Sequence, residues 1–340
     1  MIRKAPARAT IRDVAQKANV SISTVSRYLN HTGYVETDTA KRIARAVEAT
    51  NYTPSMVARS LRMQKSDVVL LVVPDICNPF YSGIAQTVQQ LARKRGYVMA
   101  LFDSSESEHE SECIEIAQRM YASGILIASI NMKMDVIHSL LQTHIPIVGM
   151  NSYQRCPFDS VHVDRPDGSY IATRHLLELG HKKIGFAGGT PQSTIGESRK
   201  DGYLQAMTEV GCFPSGHDVI EIGFSQKDGY EAGQYFARCT DRPTAICCAN
   251  DQVALGLLAA MHACGIAVPE RLSVTGMDDI PYASISNPGL TTVTNSSEDF
   301  ASKATAMLFQ RIDDAYTGPP RDIAISHRLV VRASTASPRL

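Results

Sequence analysis

The sequence contains no run of about eighteen uninterrupted apolar residues, the length that a membrane-spanning helix requires. Its first residues, MIRKAPARAT, carry cations but lack the apolar segment of a secretory signal. The 8 cysteines include no CxxC pair, and several stand inside apolar runs, which favours reduced, mostly buried thiols over a zinc site or disulfides. We therefore expect a protein that stays in the cytoplasm and has no membrane partner.

Motifs of several enzyme classes are also missing. Where a dinucleotide-binding fold would place GxGxxG after the first strand, the chain has PDICNPF. The glycine-rich stretch GFAGGT (185–190) lacks the lysine and the spacing of a phosphate-binding loop, and no GxSxG nucleophile motif occurs. The histidines are scattered without the spacing of metal ligands. These absences argue against an enzyme, and neither a metal nor a cofactor is expected.

The whole chain has no net charge, since 34 basic residues balance 34 acidic ones, but the charge is unevenly distributed along the sequence. Residues 1–65 hold 12 lysines and arginines against 4 acidic residues, which leaves 22 basic and 30 acidic residues in the rest. A basic end on an acidic body is typical of a protein that binds a polyanion through that end. Small helical domains are often basic for other reasons, but here the excess coincides with a specific helical pattern.

That pattern is TIRDVAQKANVSISTVSRYLN (residues 10–30), which predicts two short helices joined by a tight turn. Thr10 and Asp13 fit a capping box at the first helix, and Ser21 can cap the second, on which Val25 and Leu29 face inward. The outward side chains of the second helix are expected to be Ile22, Ser23, Ser26 and Arg27. Such a face can enter a DNA major groove, where Arg27 would offer a bidentate fork to guanine. The alternative is an ordinary pair of short helices whose serines are merely exposed.

The next segments favour the DNA-binding interpretation. A third apolar stripe follows at helical spacing after Thr37, and then NYTPSMVARSLR (residues 51–62) predicts a short helix that begins near Pro54. A helix of this length is unstable alone in water, so we expect it to form only against a partner. Leu61 could then wedge between base steps in the minor groove.

With these motifs in view, the chain resembles the lactose and galactose repressor family of bacterial transcription factors. The resemblance continues through VVPDICNPFYSGIAQ, RKDGYLQAM, CANDQVALGLL, LSVTGMDD and PGLTTV, and so spans nearly the whole chain in order. It implies a sequence-specific regulator, a repressor, that binds a palindromic double-stranded operator as a homodimer. The residues predicted to contact DNA are Thr10, Ser21, Ile22, Ser23, Thr24, Ser26, Arg27, Tyr34, Arg59 and Leu61.

From Asp67 onward, near-continuous apolar runs alternate with helical segments, which predicts parallel sheets in two similar α/β lobes. The predicted fold is thus an all-α helix-turn-helix domain followed by a two-lobed α/β domain like a periplasmic binding protein. We expect the DNA-binding domain at 9–52, a hinge helix and linker at 53–66 and the effector and dimerisation domain at 67–340. The first lobe would cover 67–162 and 293–322, and the second lobe would cover 163–292 and 323–340, with one last strand over 323–330.

Ligands of such sheets bind beyond the carboxyl ends of the strands, and here that region holds carboxylates, amides, an arginine and aromatic rings. Groups of this kind grip vicinal hydroxyls. The resemblance implies the same positions, and the predicted effector ligands are Phe80, Tyr81, Asn151, Arg199, Phe224, Asn250, Asp251 and Asp278. Asn151 departs from the family, which is often acidic there. For Asn250 and Asp251, helix capping is the structural alternative.

A small-molecule effector that binds between the lobes would change DNA affinity by favouring one of two states. A sugar or sugar derivative is favoured over a purine, and the sequence leaves open whether the effector releases DNA or promotes its binding. An exported solute-binding protein would share the two-lobed plan, but it would need a signal peptide and would leave the basic end unexplained. The tail RASTASPRL has no leucine heptads, so a dimer is expected rather than a tetramer.

Overall fold

The computed structural model describes residues 9–30, 33–52, 66–104, 112–128, 134–150, 157–163, 167–191 and 193–339. The chain divides into two compact units, Met1–Ser66 and Asp67–Leu340. Within the described ranges, no helix is both long enough and apolar enough to cross a membrane. The same ranges hold no group of three or more His, Cys, Asp or Glu side chains that could bind a metal ion.

The described residues of the first unit form three helices, α1 (Ile11–Ala18), α2 (Ile22–Asn30) and α3 (Thr37–Thr50). Their apolar stripes meet in one core, in which Val14, Val25 and Ile43 are completely buried. Helices α1 and α3 each end at an asparagine with a left-handed backbone, a conformation that asparagine tolerates better than most residues. The predicted helix-turn-helix, with its third supporting helix, is therefore present.

The first lobe of the second unit is a six-stranded parallel sheet. Its strands are β1 (Val68–Val73), β2 (Val98–Asp103), β3 (Gly124–Ala128), β4 (Ile147–Met150), β5 (Asp159–Val163) and β11 (Asp322–Ile325), in the spatial order β11-β5-β4-β3-β1-β2. Its helices are α4 (Pro79–Lys94), α5 (Glu112–Arg119), α6 (Met134–Gln142) and α12 (Ser297–Ile312). Strands β1 and β3 are buried on both faces because helices cover both sides of the sheet.

The second lobe is another six-stranded sheet. Its strands are β6 (Ile184–Ala187), β7 (Val219–Ile220), β8 (Ala245–Cys248), β9 (Ser273–Asp278), β10 (Thr291–Thr294) and β12 (Arg328–Val330), in the order β12-β10-β9-β8-β6-β7. Its helices are α7 (Gly168–Glu178), α8 (Thr194–Glu209), α9 (Gln226–Arg238), α10 (Asp251–Ala263) and the short α11 (Pro281–Ile285). All pairings are parallel except β10 with β12.

The single last strand expected over 323–330 is wrong. The polar residues Ser326 and His327 interrupt the apolar run, and its two halves join different sheets: β11 pairs with β5, and β12 pairs with β10. The lobe limits expected at 293 and 323 therefore shift, since all of β10 lies in the second sheet and β11 lies in the first. The chain crosses between the lobes after β10 and again between β11 and β12.

Helices α9 and α10 of the second lobe pack unusually closely. A Cβ atom placed on Gly229 would overlap the backbone carbonyl of Val253, and one placed on Gly256 would overlap that of Gln226. Only hydrogen at these positions lets the two backbones approach to this distance. Because α10 begins beside the strand ends that carry the candidate ligands, this crossing fixes the position of its first turn.

Candidate functional site

The first turn of α1 is fixed by a carboxylate. Oδ2 of Asp13 accepts hydrogen bonds from the backbone N–H of Thr10 at 2.7 Å and from the Thr10 hydroxyl at 2.8 Å. These bonds, the backbone one first, lower the pKa of Asp13 because they favour its charged form. Thr10, a predicted DNA contact, thus has its side chain engaged in the helix cap.

Helix α2 begins at the predicted cap. The Ser21 hydroxyl accepts from the Thr24 backbone N–H at 3.1 Å and lies within hydrogen-bond distance of the hydroxyls of Ser23 and Thr24. Ser26 was expected to face outward, but only 6% of it is exposed, so that part of the prediction is wrong. Ser26 follows the buried Val25 and precedes Leu29 by three positions, which places it at the border of the packed stripe.

The remaining face of α2 is open to solvent. Ile22 is 44% exposed, Tyr34 beyond the helix is 85% exposed, and Ser23 and Arg27 are also exposed. The stem of Arg27 passes over Gly33, where an added Cβ would lie 3.0 Å from the Arg27 Cδ. Arg59 and Leu61 lie outside the described residues.

At the carboxyl ends of the second-lobe strands, four of the predicted effector ligands form one cluster. Arg199 on α8 and Asp278 at the end of β9 are 4% and 6% exposed, and their side chains are 3.4 Å apart. The guanidinium of Arg199 also donates to the Ala249 carbonyl at 2.5 Å and lies 5.9 Å from the centre of the Phe224 ring. A buried cation, a carboxylate and a partly exposed aromatic ring are thus close neighbours in this cluster.

Asn250 closes this cluster from the start of α10. Its carbonyl oxygen accepts from the Val253 backbone N–H at 2.8 Å as a helix cap, and its amide donates to the Phe224 carbonyl at 3.0 Å. The structural alternative for Asn250 is therefore realised, and the same side chain also holds Phe224 beside Arg199.

Two residues of this cluster escaped the sequence analysis. Asn295 is 1% exposed and donates to Oδ1 of Asp278 at 3.3 Å, while its own carbonyl oxygen accepts no hydrogen bond from the described residues. It directly follows β10, so the rule that ligands lie at strand ends could have found it. Asp167, the cap of α7, is close enough to act on Asp278 electrostatically.

Asp251 does not fit its predicted role as an effector ligand. It is completely buried, and its two carboxylate oxygens accept from the Thr292 hydroxyl at 2.6 Å and from the Ile280 backbone N–H at 2.8 Å. Burial raises the pKa of Asp251 well above its usual value. The pattern Asn-Asp before a helix could not distinguish a carboxylate that faces the cleft from one that faces the core.

Phe80 and Tyr81 lie in the first lobe at the start of α4, apart from the Arg199 cluster. They are 3% and 8% exposed, and Phe80 makes edge-on contacts with Tyr81 and Phe300. Their rings are core residues in this structure, so a role as effector ligands would require them to become more exposed. Asn151 lies outside the described residues.

Burial raises the pKa of Asp278 to about 6, although Arg199 and Asn295 oppose the shift. At pH values between 3.8, the ordinary pKa of an aspartate, and about 6, Asp278 is protonated in the folded chain but ionised in the unfolded chain. Because the folded state binds more protons there, this group's contribution to the free energy of unfolding falls as pH rises.

The predicted consequence is a difference between wild type and Asp278→Asn. From about pH 5 to about pH 7, wild type should lose about 1 kcal/mol more of its free energy of unfolding than the variant, which has no proton to release at this position. Urea unfolding at both pH values measures the difference. Identical pH dependences would show that Asp278 titrates at its ordinary value.

Two family models match the chain. The model of bacterial regulatory proteins of the lacI family matches residues 10–55, and that of the periplasmic binding protein-like domain matches residues 173–335. The curated relatives include the HTH-type transcriptional repressors PurR of Haemophilus influenzae (strain PittEE) and Pasteurella multocida (strain Pm70). Each is 32% identical over 333 residues, which is 97% of this chain and 99% of the relative.

Solved structures share the fold. The lac repressor dimer bound to operator and the anti-inducer ONPF matches with a TM-score of 0.85 and 24% identity over 97% of this chain and all of that one. The complex of the transcriptional regulator CelR with cellobiose matches with a TM-score of 0.71 and 26% identity over 96% of this chain and all of that one. Both similarities extend from the helical unit through the two-lobed body.

Proposed function

The chain belongs to the lacI family of bacterial regulatory proteins, and from that premise we propose that it is a transcriptional repressor controlled by a small polyhydroxylated effector. It acts in the cytoplasm as a homodimer, and each subunit reads half of a palindromic operator. The observation that carries the proposal is the open face of α2, which presents Ile22, Ser23 and Arg27 above a fully packed three-helix core.

The helical unit is suited to a major groove. Val25 anchors α2 to the core, so its exposed residues are held on a rigid helix rather than on a loop. Exposed cations on α1 and α3, among them Arg12, Lys17 and Arg42, can contact phosphates and supply affinity that does not depend on sequence. We propose further that Arg59 and Leu61 contact DNA in the adjacent minor groove.

Selection from random duplexes tests the DNA part directly. The purified full chain should enrich a site with two-fold symmetry, because each half-site meets an identical α2. The selection is run without additive and with each sugar and purine named below. Failure to enrich any symmetric sequence under all of these conditions would reject the proposed function.

On the enriched duplex, Arg27→Ala should weaken binding by about 1–3 kcal/mol, because a bidentate contact to guanine is lost. Binding to a scrambled duplex should change much less, and this difference is measured by fluorescence anisotropy at one salt concentration. Arg42→Ala is the matched control, since it removes an exposed arginine from α3 and should weaken both duplexes alike. Equal losses for Arg27→Ala on both duplexes would remove Arg27 from base recognition.

The buried cluster favours a sugar or sugar derivative as effector. Arg199 and Asp278 provide a donor fork and an acceptor that can bind neighbouring hydroxyls, and the Phe224 ring can lie against the apolar face of a pyranose. A purine is the second candidate, because relatives named PurR share 32% of their residues with this chain. Whether the effector releases or promotes DNA binding follows from which state it prefers.

A thermal-shift screen of the full chain separates the two candidates. The probes are ribose, cellobiose, gluconate, hypoxanthine and guanine, and a ligand present at about 100 times its Kd should stabilise the native state by about 2.7 kcal/mol. Asp278→Asn should remove the shift produced by the active probe. Asp241→Asn, whose carboxylate is 90% exposed, should keep it. A shift that survives in Asp278→Asn would place the effector elsewhere.

A further inference from the structure

The segment Asp278–Ile280 connects the candidate effector site to the other lobe, and its backbone is strained. Asp278 has φ of 111° and Asp279 has φ of 53°, which are left-handed values at two consecutive residues that are not glycine. Such a conformation persists only where the surroundings determine it. Ile280 follows at once and initiates α11.

Each residue of this segment is held by a different polar contact. Asp278 contacts Arg199 and Asn295, as described above. The carboxylate of Asp279 accepts from Arg332 at 2.6 Å, and Arg332 also donates to the Leu290 carbonyl at 2.8 Å. The backbone N–H of Ile280 donates to Asp251. Because these contacts restrain all three residues, a displacement of Asp278 cannot easily be absorbed by changes within the segment.

The Ile280 side chain belongs to the core of the first lobe, although its backbone continues from a strand of the second. It is 3% exposed and is buried in the same cluster as Phe80, Tyr81 and Phe300. The first turns of α10 make two further contacts of this kind. Leu255 packs against the cores of both lobes, and the Gln252 amide donates to the Cys77 carbonyl at 3.5 Å.

Asp251 ties these elements together from inside the second lobe. It opens α10, accepts from Thr292 on β10 and accepts from Ile280, so one buried side chain joins a helix, a strand and the strained segment. The space beside it is kept by Gly276, where a Cβ atom would overlap the Asp251 carboxylate. Asn250, the preceding residue, is part of the effector cluster.

We propose that Asp251 is a positioning residue that holds Ile280 in the aromatic core of the first lobe and so couples the effector site to that lobe. The inference rests on the proposed function, because it names the route by which an effector at Arg199 and Asp278 reaches the first lobe. A shift of Asp278 moves the residue two positions before Ile280. Because Asp251 fixes the Ile280 backbone relative to α10 and β10, Ile280 moves together with these elements, so a movement of the cluster that includes Asn250 and Asp278 reaches Phe80 and Phe300.

Amide hydrogen exchange followed by mass spectrometry tests the coupling in the full chain, with neither DNA nor effector present. Thr292→Val removes a hydroxyl from the second lobe and leaves the side-chain shape unchanged. If the proposal holds, exchange in first-lobe peptides of α4 (79–94) should accelerate at least about threefold, because Ile280 is held less firmly against Phe80. Asp251→Asn should stay close to wild type, since an amide can accept from Ile280 and donate to Thr292.

The matched control is Thr275→Val. Thr275 is completely buried in the neighbouring strand β9, and because it directly precedes Gly276, whose face of the sheet meets Asp251, its side chain points to the opposite face. This variant should leave exchange in α4 unchanged. If Thr292→Val accelerates exchange only in second-lobe peptides, or if Thr275→Val accelerates α4 equally, the proposal is rejected.

A second pair of variants covers the case in which Thr292→Val folds poorly. Ile280→Val and Ile246→Val each remove one methyl group from a buried isoleucine, but Ile246 lies in the core of the second lobe alone. Only Ile280→Val should accelerate exchange in α4, and equal effects of the two variants would reject the coupling. A failure of the operator selection would reject the proposed function and leave this result unaffected.

Discussion

Replacing Arg199 by methionine is expected to lower the free energy of unfolding by about 3–5 kcal/mol near neutral pH. The substitution leaves the Asp278 carboxylate buried without its cation and leaves the Ala249 carbonyl without its donor. Binding of the active probe should be lost as well, because the donor fork for its hydroxyls is gone. Urea unfolding and the thermal-shift assay measure the two effects on the same protein.

Lys200→Met is the matched control for this prediction. Lys200 is the next residue on α8 and pairs with Glu221 at 2.8 Å, but both side chains are 24% exposed, so its loss should cost about 1 kcal/mol or less. The double variant Arg199→Met with Asp278→Asn should recover part of the stability, since the carboxylate that lost its cation is replaced by a neutral amide. Equal losses in the free energy of unfolding for Arg199→Met and Lys200→Met would show that the buried pair contributes no more to stability than the partly exposed one.

Gly256→Ala is expected to cost about 3 kcal/mol or more, and so is Gly229→Ala. In an open helix the same change would stabilise by about 0.5–1 kcal/mol, because alanine is the better helix former. Here the added methyl group would overlap a backbone carbonyl of the partner helix, which cannot rotate away as a side chain could. The two helices would have to separate, and α10 would move together with Asn250 and Asp251.

Gly216→Ala provides the comparison for both glycine variants. A Cβ atom at Gly216 would meet nothing within 4 Å, so this substitution should change stability by no more than about 0.5 kcal/mol. Thermal unfolding of the three variants gives the answer. A stable Gly256→Ala chain with an unchanged effector response would mean that the helices need not be this close.

The fold was predictable because its signals are local and repeated. Apolar runs such as Val68–Val73 and Gly124–Ala128 are buried on both faces as parallel strands should be, and Thr10 and Ser21 begin the first two helices as their spacing indicated. The rule that strand ends converge at one edge of a sheet placed Asp278 in the candidate site, but the direct contact of Arg199, on helix α8, with Asp278 was not predicted.

The errors in the sequence-based prediction arise where burial or strand pairing depends on contacts between distant segments of the chain. Ser26 and Asp251 are polar residues at positions where polar side chains are commonly exposed, but packing from distant segments covers both. The run from 323 to 330 has strand character throughout. It is divided because its first half pairs with the sheet of the first lobe and its second half pairs with the sheet of the second lobe. Such outcomes depend on tertiary contacts, which override local preference.

The repeated passage of the chain between the two sheets bears on how this architecture can be dissected or recombined. A fragment that ends before residue 322 would leave β5 without β11, one of its two neighbours, and would also remove β12 from β10, so one cut damages both lobes. Neither half is a contiguous gene segment that could be exchanged with a homologous one. Chimaeras that exchange one lobe must therefore join four alternating stretches of sequence at three crossover points, and single-crossover libraries should yield mostly misfolded products.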